Sequence, residues 1–233
     1  MNYLILLNTK LEQLYQNINK LNTNKISIIL TCCVNVDRNI CCLFQINAQE
    51  RINTYIKSIK QWIDKTNFNI IVVESSGYTF PELQQKQNSR FQIITFDAQK
   101  NIECNKLKFK KSKGQWEIFA IQYAYQNSKI LQETEFIIKI TGRYYIPNFE
   151  NYLIEKNIMN YDCLRQNNKI SCEFLGCKQR LFNQIFNICI EDGHIENVWR
   201  DRINKYSNNV LTSDIQKISP TQQGGVNVIR TFL

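Results

Sequence analysis

Apolar positions recur along the chain in two alternating rhythms. The Ile-rich run from Ile26 to Leu30 follows the polar stretch Asn22 to Lys25 and suits a strand buried on both faces. Asn47 with Glu50 reads as a helix cap, and Ile52, Tyr55, Ile56, Ile59, Trp62 and Ile63 then form one stripe at the helical period. A second short buried strand is predicted from Ile70 to Val73, ending at Glu74-Ser75-Ser76-Gly77, and a third from Phe91 to Phe96, ending at Asp97. Beyond the basic stretch Lys106 to Lys113 comes Gly114, and Trp116, Phe119, Ala120, Tyr123 and Ala124 describe another helix. Phe136 to Ile140 predicts a fourth buried strand, followed by Thr141-Gly142-Arg143-Tyr144-Tyr145. Buried β-rich runs alternating with amphipathic helices are the signature of βαβ units, so the class is α/β, with a mostly parallel sheet flanked by helices on both faces.

The flanks are less regular. Thr9 and Glu12 form a capping box ahead of Leu11, Leu14, Tyr15, Ile18 and Leu21, which predicts an amphipathic helix over residues 1–24, packed on one core domain at 25–233. After Pro147 the pattern predicts a strand from Ile170 to Leu175, a helix from Leu181 to Cys189 and another from Ile195 to Tyr206. From Ser207 onward the chain is polar, with Gly224 and Gly225 marking a flexible or turning segment.

Composition narrows the class further. At 43% hydrophobic and 21% charged, with neither internal repeat nor low-complexity tract, the 233 residues exclude disordered, fibrous and repeat architectures. Twenty-nine Lys and Arg against 20 Asp and Glu give +9, which favours an anionic partner without choosing among nucleic acid, phospholipid and phosphorylated small molecule. Nine cysteines, an odd number at irregular positions, argue against a secreted disulfide framework and read as buried, reduced thiols. The nearest approach to a zinc set is Cys172, Cys177 and the lone His194, short of ligand spacing. Without a signal-like start or an apolar run near the roughly 20 residues that span a bilayer, a soluble, cytoplasmic protein is expected.

Ligands of open parallel sheets bind beyond the carboxyl ends of the strands, so the informative clusters are Thr31 to Asp37, Glu74 to Tyr78, Asp97 to Lys113 and Thr141 to Tyr145. The chain has no P-loop, dinucleotide fingerprint, nucleophile elbow or H-E-x-x-H motif. With a single histidine, a general base would be a carboxylate.

The order Ile26-Ser-Ile-Ile-Leu-Thr31, Ser58-Ile-Lys-Gln-Trp62, Ile71-Val-Val-Glu74-Ser-Ser-Gly77, Lys113-Gly114-Gln-Trp-Glu117 and Phe136-Ile-Ile-Lys-Ile-Thr-Gly-Arg143-Tyr144 resembles nucleotide-sugar-dependent glycosyltransferases of the GT-A fold, a Rossmann-like α/β fold, over roughly Lys25 to Tyr206. The resemblance implies a UDP- or GDP-linked sugar donor and a glycan or other hydroxyl acceptor. By position it assigns the nucleoside to Thr31 and Glu74, and base and phosphate to Lys113 and Gly114 at a helix start. Such enzymes commonly carry Asp-x-Asp after the fourth strand to bind a divalent metal, whereas this chain reads Thr141-Gly142-Arg143. No metal or other cofactor is therefore expected, and Lys139, Arg143 and Lys113 are the cations left for the departing diphosphate. Many relatives keep the catalytic base in the late segment, where Glu191, Asp192 and Glu196 stand; Glu196, opening the helix through Trp199, is the first choice and Asp192 the second.

Each assignment has a plainer counterpart. Glu74 also reads as an exposed acid at a strand end, the lysines from Lys106 to Lys113 as guards of a solvated edge strand, and Arg143 as one half of a structural salt bridge. Gly142 signals a close backbone approach or a positive φ. Two rival functions stay open: a catalytically inactive GT-A-like binding or structural protein, and a basic nucleic-acid-binding protein, against which the even spread of Lys and Arg counts.

Overall fold

The computed structural model describes residues 5, 7, 10, 23–36, 43–109, 112–167 and 171–233. The expected N-terminal helix over residues 1–24, with its capping box at Thr9 and Glu12, lies almost wholly outside the described residues.

The chain is α/β. A seven-stranded sheet in the order β3-β2-β1-β4-β6-β5-β7 is built from β1 (Ile26–Cys32), β2 (Asn69–Glu74), β3 (Phe91–Thr95), β4 (Phe136–Thr141), β5 (Cys163–Arg165), β6 (Phe174–Lys178) and β7 (Val210–Thr212). The strands β3, β2, β1 and β4 are mutually parallel; β6 runs against both β4 and β5, and β7 is parallel to β5. Every residue of β1 is buried, as a central parallel strand covered on both sides requires.

One face of the sheet packs Ile28, Leu30, Val72 and Ile138 against Tyr55, Ile59 and Trp62 of helix α1 (Ala48–Lys65). Asn47 caps α1 by accepting the Glu50 N–H at 3.1 Å, as the sequence predicts. After the short α2 (Ile102–Asn105), the opposite face packs Ile29, Ile71, Val73 and Ile137 against α3 (Lys113–Asn127), α6 (Phe182–Ile185) and α7 (Ile195–Tyr206). Two short helices, α4 (Lys129–Gln132) and α5 (Phe149–Glu155), flank β4 in sequence. Among the described residues, no helix is long and apolar enough to cross a membrane.

Four readings of the sequence are corrected. The strand expected from Ile170 to Leu175 is Phe174–Lys178, with 168–170 outside the described residues. Gly176 sits mid-strand, where a Cβ would lie 2.8 Å from the Ile137 carbonyl oxygen. The helix expected from Leu181 to Cys189 stops at Ile185. Its continuation is prevented by distant side chains that take the carbonyls: Arg202 binds those of Ile185, Asn187 and Cys189, Gln122 that of Phe186 and Gln115 that of Ile188. The polar tail from Ser207 is structured: it supplies β7 and the hairpin of β8 (Lys217–Gln222) and β9 (Ile229–Phe232), and buries Leu211, Ile218 and Leu233 in the α1-side core. The described part of the basic stretch after Asn105 is turn rather than edge strand; Lys110 and Lys111 lie outside the described residues.

Two buried tryptophans differ in one respect. Trp62 donates its Nε1–H to the Tyr144 carbonyl at 2.9 Å, whereas Trp199 Nε1 has no acceptor among the described residues. Replacement by Phe removes comparable volume from each site but strands a buried carbonyl only at Tyr144. Urea unfolding is therefore expected to show Trp62→Phe costing about 1–2 kcal/mol more than Trp199→Phe. Equal losses would show that the Trp62 hydrogen bond adds no stability of its own.

Candidate active site

The topology carries the predicted residues to one edge of the sheet. β1, β2 and β4 are parallel and in register, with Cys32 opposite Glu74 and Thr31 opposite both Val73 and Thr141, so their carboxyl ends coincide. The helices that return between parallel strands start at that same edge, which places the first turns of α1 and α3 there. The antiparallel β6 begins beside the end of β4, with Ile140 opposite Phe174, and α7 leads back to β7, so the first turn of α7 shares the edge.

Glu74 is fully buried on the α1 side. Its Oε1 accepts from the Val34 N–H at 2.8 Å and from the Ser76 hydroxyl; its Oε2 accepts from the N–H groups of Ser76 at 2.9 Å and Tyr78 at 2.8 Å. The reading as an exposed strand-end acid is corrected: the side chain ties the loop after β1 to the loop after β2. Gly77, at φ +86°, makes the turn that aims these N–H groups at it.

Thr31 and Lys139 lie on the opposite face. Lys139 is 0% exposed; its Nζ meets Glu117 of α3 at 2.8 Å, donates to the Cys172 carbonyl at 2.7 Å and sits 5.0 Å from the Trp199 ring centre. Thr31 donates its hydroxyl to the same Glu117 oxygen at 2.8 Å. Burial alone would push the ammonium down, yet the carboxylate of Glu117 and its neighbours outweigh that and hold Lys139 above its ordinary range. Thr31, Lys139 and Glu117 thus form a closed polar cluster. Glu117 was quoted in the sequence pattern without a role; that its partners sit on two adjacent strands could not be read from spacing.

Lys113 is exposed in the first turn of α3. Gly114 is buried because α7 crosses there: a Cβ would overlap that of Ile195. At the end of β4, Gly142 is a close approach and not a positive φ, since its N–H bonds the Thr31 carbonyl at 2.9 Å and a Cβ would meet Cys32. Arg143 then turns to the α1 side, 5.9 Å from the Tyr55 ring centre, with Nη1 buried and without an acceptor among the described residues. It makes no salt bridge among the described residues. A second guanidinium, Arg51, lies 5.6 Å from the Tyr55 ring centre and donates to the carbonyls of Cys33 and Gln45 and to the Tyr55 hydroxyl. Tyr55 reads in the sequence as a member of the packing stripe of α1, and Arg51 beside it carries no signal there.

The three late carboxylates separate cleanly. Glu191 takes Arg202 at 3.2 Å. Asp192 accepts the His194 N–H at 3.0 Å and the Asn197 amide at 3.2 Å, and the former bond leads in holding its carboxyl below the ordinary range. Glu196, half-buried in the first turn of α7, has neither hydrogen bond nor ion pair among the described residues. Among the described residues, no three His, Cys, Asp or Glu side chains gather where they could hold a metal ion. All seven described cysteines are free thiols, and burial pushes Cys32, Cys172 and Cys177 well up.

No family model matches the chain, and no curated protein matches it in sequence. Solved structures similar in shape include the following two. A candidate nucleotide-diphospho-sugar transferase from Desulfovibrio desulfuricans aligns over 81% of this chain and 79% of its own, at 12% identity and a TM-score of 0.48. The 4-diphosphocytidyl-2C-methyl-D-erythritol synthase of Anaerococcus prevotii aligns over 81% of this chain and 87% of its own, at 8% identity and a TM-score of 0.43.

Burial raises the Glu74 carboxyl above its ordinary range, against the hydrogen bonds from Ser76, Val34 and Tyr78. A carboxyl raised in the folded state keeps its proton where the unfolded chain has released it, so stability is lost as pH climbs through that window. Glu74→Gln removes the titration. In urea unfolding from acid to neutral pH, the wild-type advantage over this variant is expected to shrink as pH rises; a constant difference would count against it. Glu74→Ala, which strands the N–H groups of Ser76 and Tyr78, is expected to cost about 3 kcal/mol or more.

Proposed function

We propose that the chain is a glycosyltransferase that moves a sugar from a UDP- or GDP-linked donor to a hydroxyl of a glycan or other acceptor, without a divalent metal. The observation that supports this most is that one edge of a mostly parallel sheet carries both Arg143, on the α1 side with a buried Nη1 lacking an acceptor, and Glu196, in the first turn of α7 with neither hydrogen bond nor ion pair among the described residues. One is suited to a departing diphosphate, the other to a proton on an attacking hydroxyl.

In this reading Arg143 and the exposed Lys113 face the diphosphate, and an Arg can grip two of its oxygens at once. The acceptor oxygen bonds to the anomeric carbon as the sugar–phosphate bond breaks; the diphosphate leaves with that electron pair and Glu196 receives the acceptor's proton. Asp192 and Glu191 remain the second-choice bases, each drawn away by its hydrogen-bonded partner. Lys139 acts as a positioning residue by holding Glu117 against Thr31. Arg143 stands where an Asp-x-Asp would place carboxylates, and its positive charge opposes a divalent cation, so the residues present do not fit that ion.

Melting temperature is expected to rise with one class of UDP- or GDP-sugar, by the linkage of ligand binding to stability. Transfer from that donor should continue in EDTA. Glu196→Gln should reduce transfer by roughly a hundredfold or more, the scale of a lost general base, while the melting shift with donor is kept. Strict Mn²⁺ or Mg²⁺ dependence would overturn the metal-independent part; full activity of Glu196→Gln would move the base to Asp192 or Glu191. No shift with any sugar nucleotide would leave the fold as a binding or structural scaffold.

A further inference from the structure

The C-terminal hairpin has an anchored base and a loosely held tip. β8 and β9 form a two-stranded sheet of their own, apart from the seven-stranded one. At the base, Gln216 and Leu233 exchange both backbone hydrogen bonds at 2.8 Å, the Ser219 N–H reaches the Tyr145 carbonyl at 3.3 Å, and Ile218 and Leu233 are buried in the α1-side core. The ladder is irregular between Lys217 and Thr221, where Pro220 stands, and resumes with Thr221 opposite Arg230 and Gln222 opposite Ile229. Proline has no N–H to give to a ladder and an irregular register bends the strand, so this break separates base from tip.

Beyond the break the tip buries nothing. Every residue from Gln222 to Phe232 is half-buried or exposed, and Val226, Val228 and Ile229 are 48%, 50% and 65% exposed. The tip is attached by polar contacts: the Gly224 carbonyl accepts the N–H groups of Phe44 and Gln45 at 2.8 and 3.3 Å, and Arg230 pairs with Glu173, just ahead of β6. A two-stranded hairpin is marginal on its own in water, and a segment with few buried apolar contacts opens locally well before the core does.

The groups beneath the tip are charged and unmatched. Gly224 sits directly on Arg143: a Cβ there would overlap Nη1, the atom left buried without an acceptor. Glu173 gives one oxygen to Arg230, and its Oε2 is buried without a hydrogen-bond partner among the described residues. A cavity of about 110 Å³, lined among others by Ser58, Arg143, Thr221 and Gln222, leaves the underside of β8 incompletely packed. A buried polar group without a partner costs its desolvation, so returning Arg143 Nη1 and Glu173 Oε2 to water offsets part of what the closed tip gains from its attachments.

We infer that the hairpin tip, residues 222–230, is a strap hinged at 219–221 that covers Arg143 when closed and lifts to admit an anionic ligand, with the Arg230–Glu173 pair as its latch. The ligand, the diphosphate of a sugar nucleotide, rests on the transferase reading; the strap adds how that group reaches its guanidinium. A guanidinium holds two oxygens through two parallel N–H bonds, and the fork made by the terminal nitrogens is closed while Gly224 covers Nη1. When only a fraction of the population is competent to bind, apparent affinity falls by that fraction, so a loosened latch tightens binding.

Arg230→Gln and Glu173→Gln test the latch in the full chain. Amide exchange of Phe44 and Gln45 is expected to accelerate roughly tenfold in each variant, the scale of one charge-assisted hydrogen bond, while that of Ile29 in β1 is unchanged and shows the core intact. The double variant should add little, because both changes remove the same pair. Phenylglyoxal, which needs both terminal nitrogens of a guanidinium, should label Arg143 slowly in the wild type beside Arg180, 60% exposed, and roughly tenfold faster in the variants. Affinity for UDP, GDP or pyrophosphate should rise by a similar factor. Arg143 labelled as fast as Arg180 in the wild type, or no faster in any variant, overturns the strap, and so does faster labelling with nucleotide affinity unchanged. Sugar transfer with labelling unaltered would remove the strap and leave the transferase, whereas faster labelling with no sugar nucleotide bound by any form would leave the strap and remove the transferase.

Discussion

β1 is covered by helices on both faces and hydrogen-bonded to β2 and β4 along both edges, so its middle, Ile28 to Leu30, is wholly apolar and its polar residues, Ser27 and Thr31, stand towards its two ends. Polar side chains carried by the central strands are consequently concentrated where those strands run out. The cost of burying them there is met locally. Glu74 is surrounded by N–H donors of two loops, and Lys139 by Glu117, the Cys172 carbonyl and the Trp199 ring. Each arrangement locks adjoining elements together, because moving either partner would leave a buried charge without compensation.

The strand period of two then sorts the edge into two chemically different halves. Cys32 and Glu74 face α1, in company with Arg51, Tyr55 and Arg143; Thr31, Lys139 and Thr141 face α3 and α7. On the α3 side the described polar groups are nearly all matched, and Glu196 stands at the border of that cluster. On the α1 side Arg143 Nη1 and Ser58 Oγ are buried and not matched.

Much of this organisation was legible in the residues. The four parallel strands, the helices at 48–65 and 195–206 and the location of polar clusters at strand ends all follow from hydrophobic period and from the rule that ligands meet such sheets at carboxyl ends. The missed elements share a cause. The helix expected through Cys189 is undone by Arg202, Gln122 and Gln115, and the hairpin of the C-terminal segment exists because Ile218 and Leu233 find apolar surface beside Tyr145. Neither partner is near in sequence.

The candidate residues divide the same way. Local sequence determined which strands would be buried on both faces, and hence that Thr31, Glu74 and Arg143 would stand at their ends, because burial of apolar side chains at fixed period depends on neighbours a few positions away. It could not decide that Glu74 and Lys139 would be consumed by internal partners while Arg143, Ser58 and Glu196 were left unengaged. Whether a polar group is satisfied depends on groups brought alongside it from distant segments, and only the tertiary structure sets those distances.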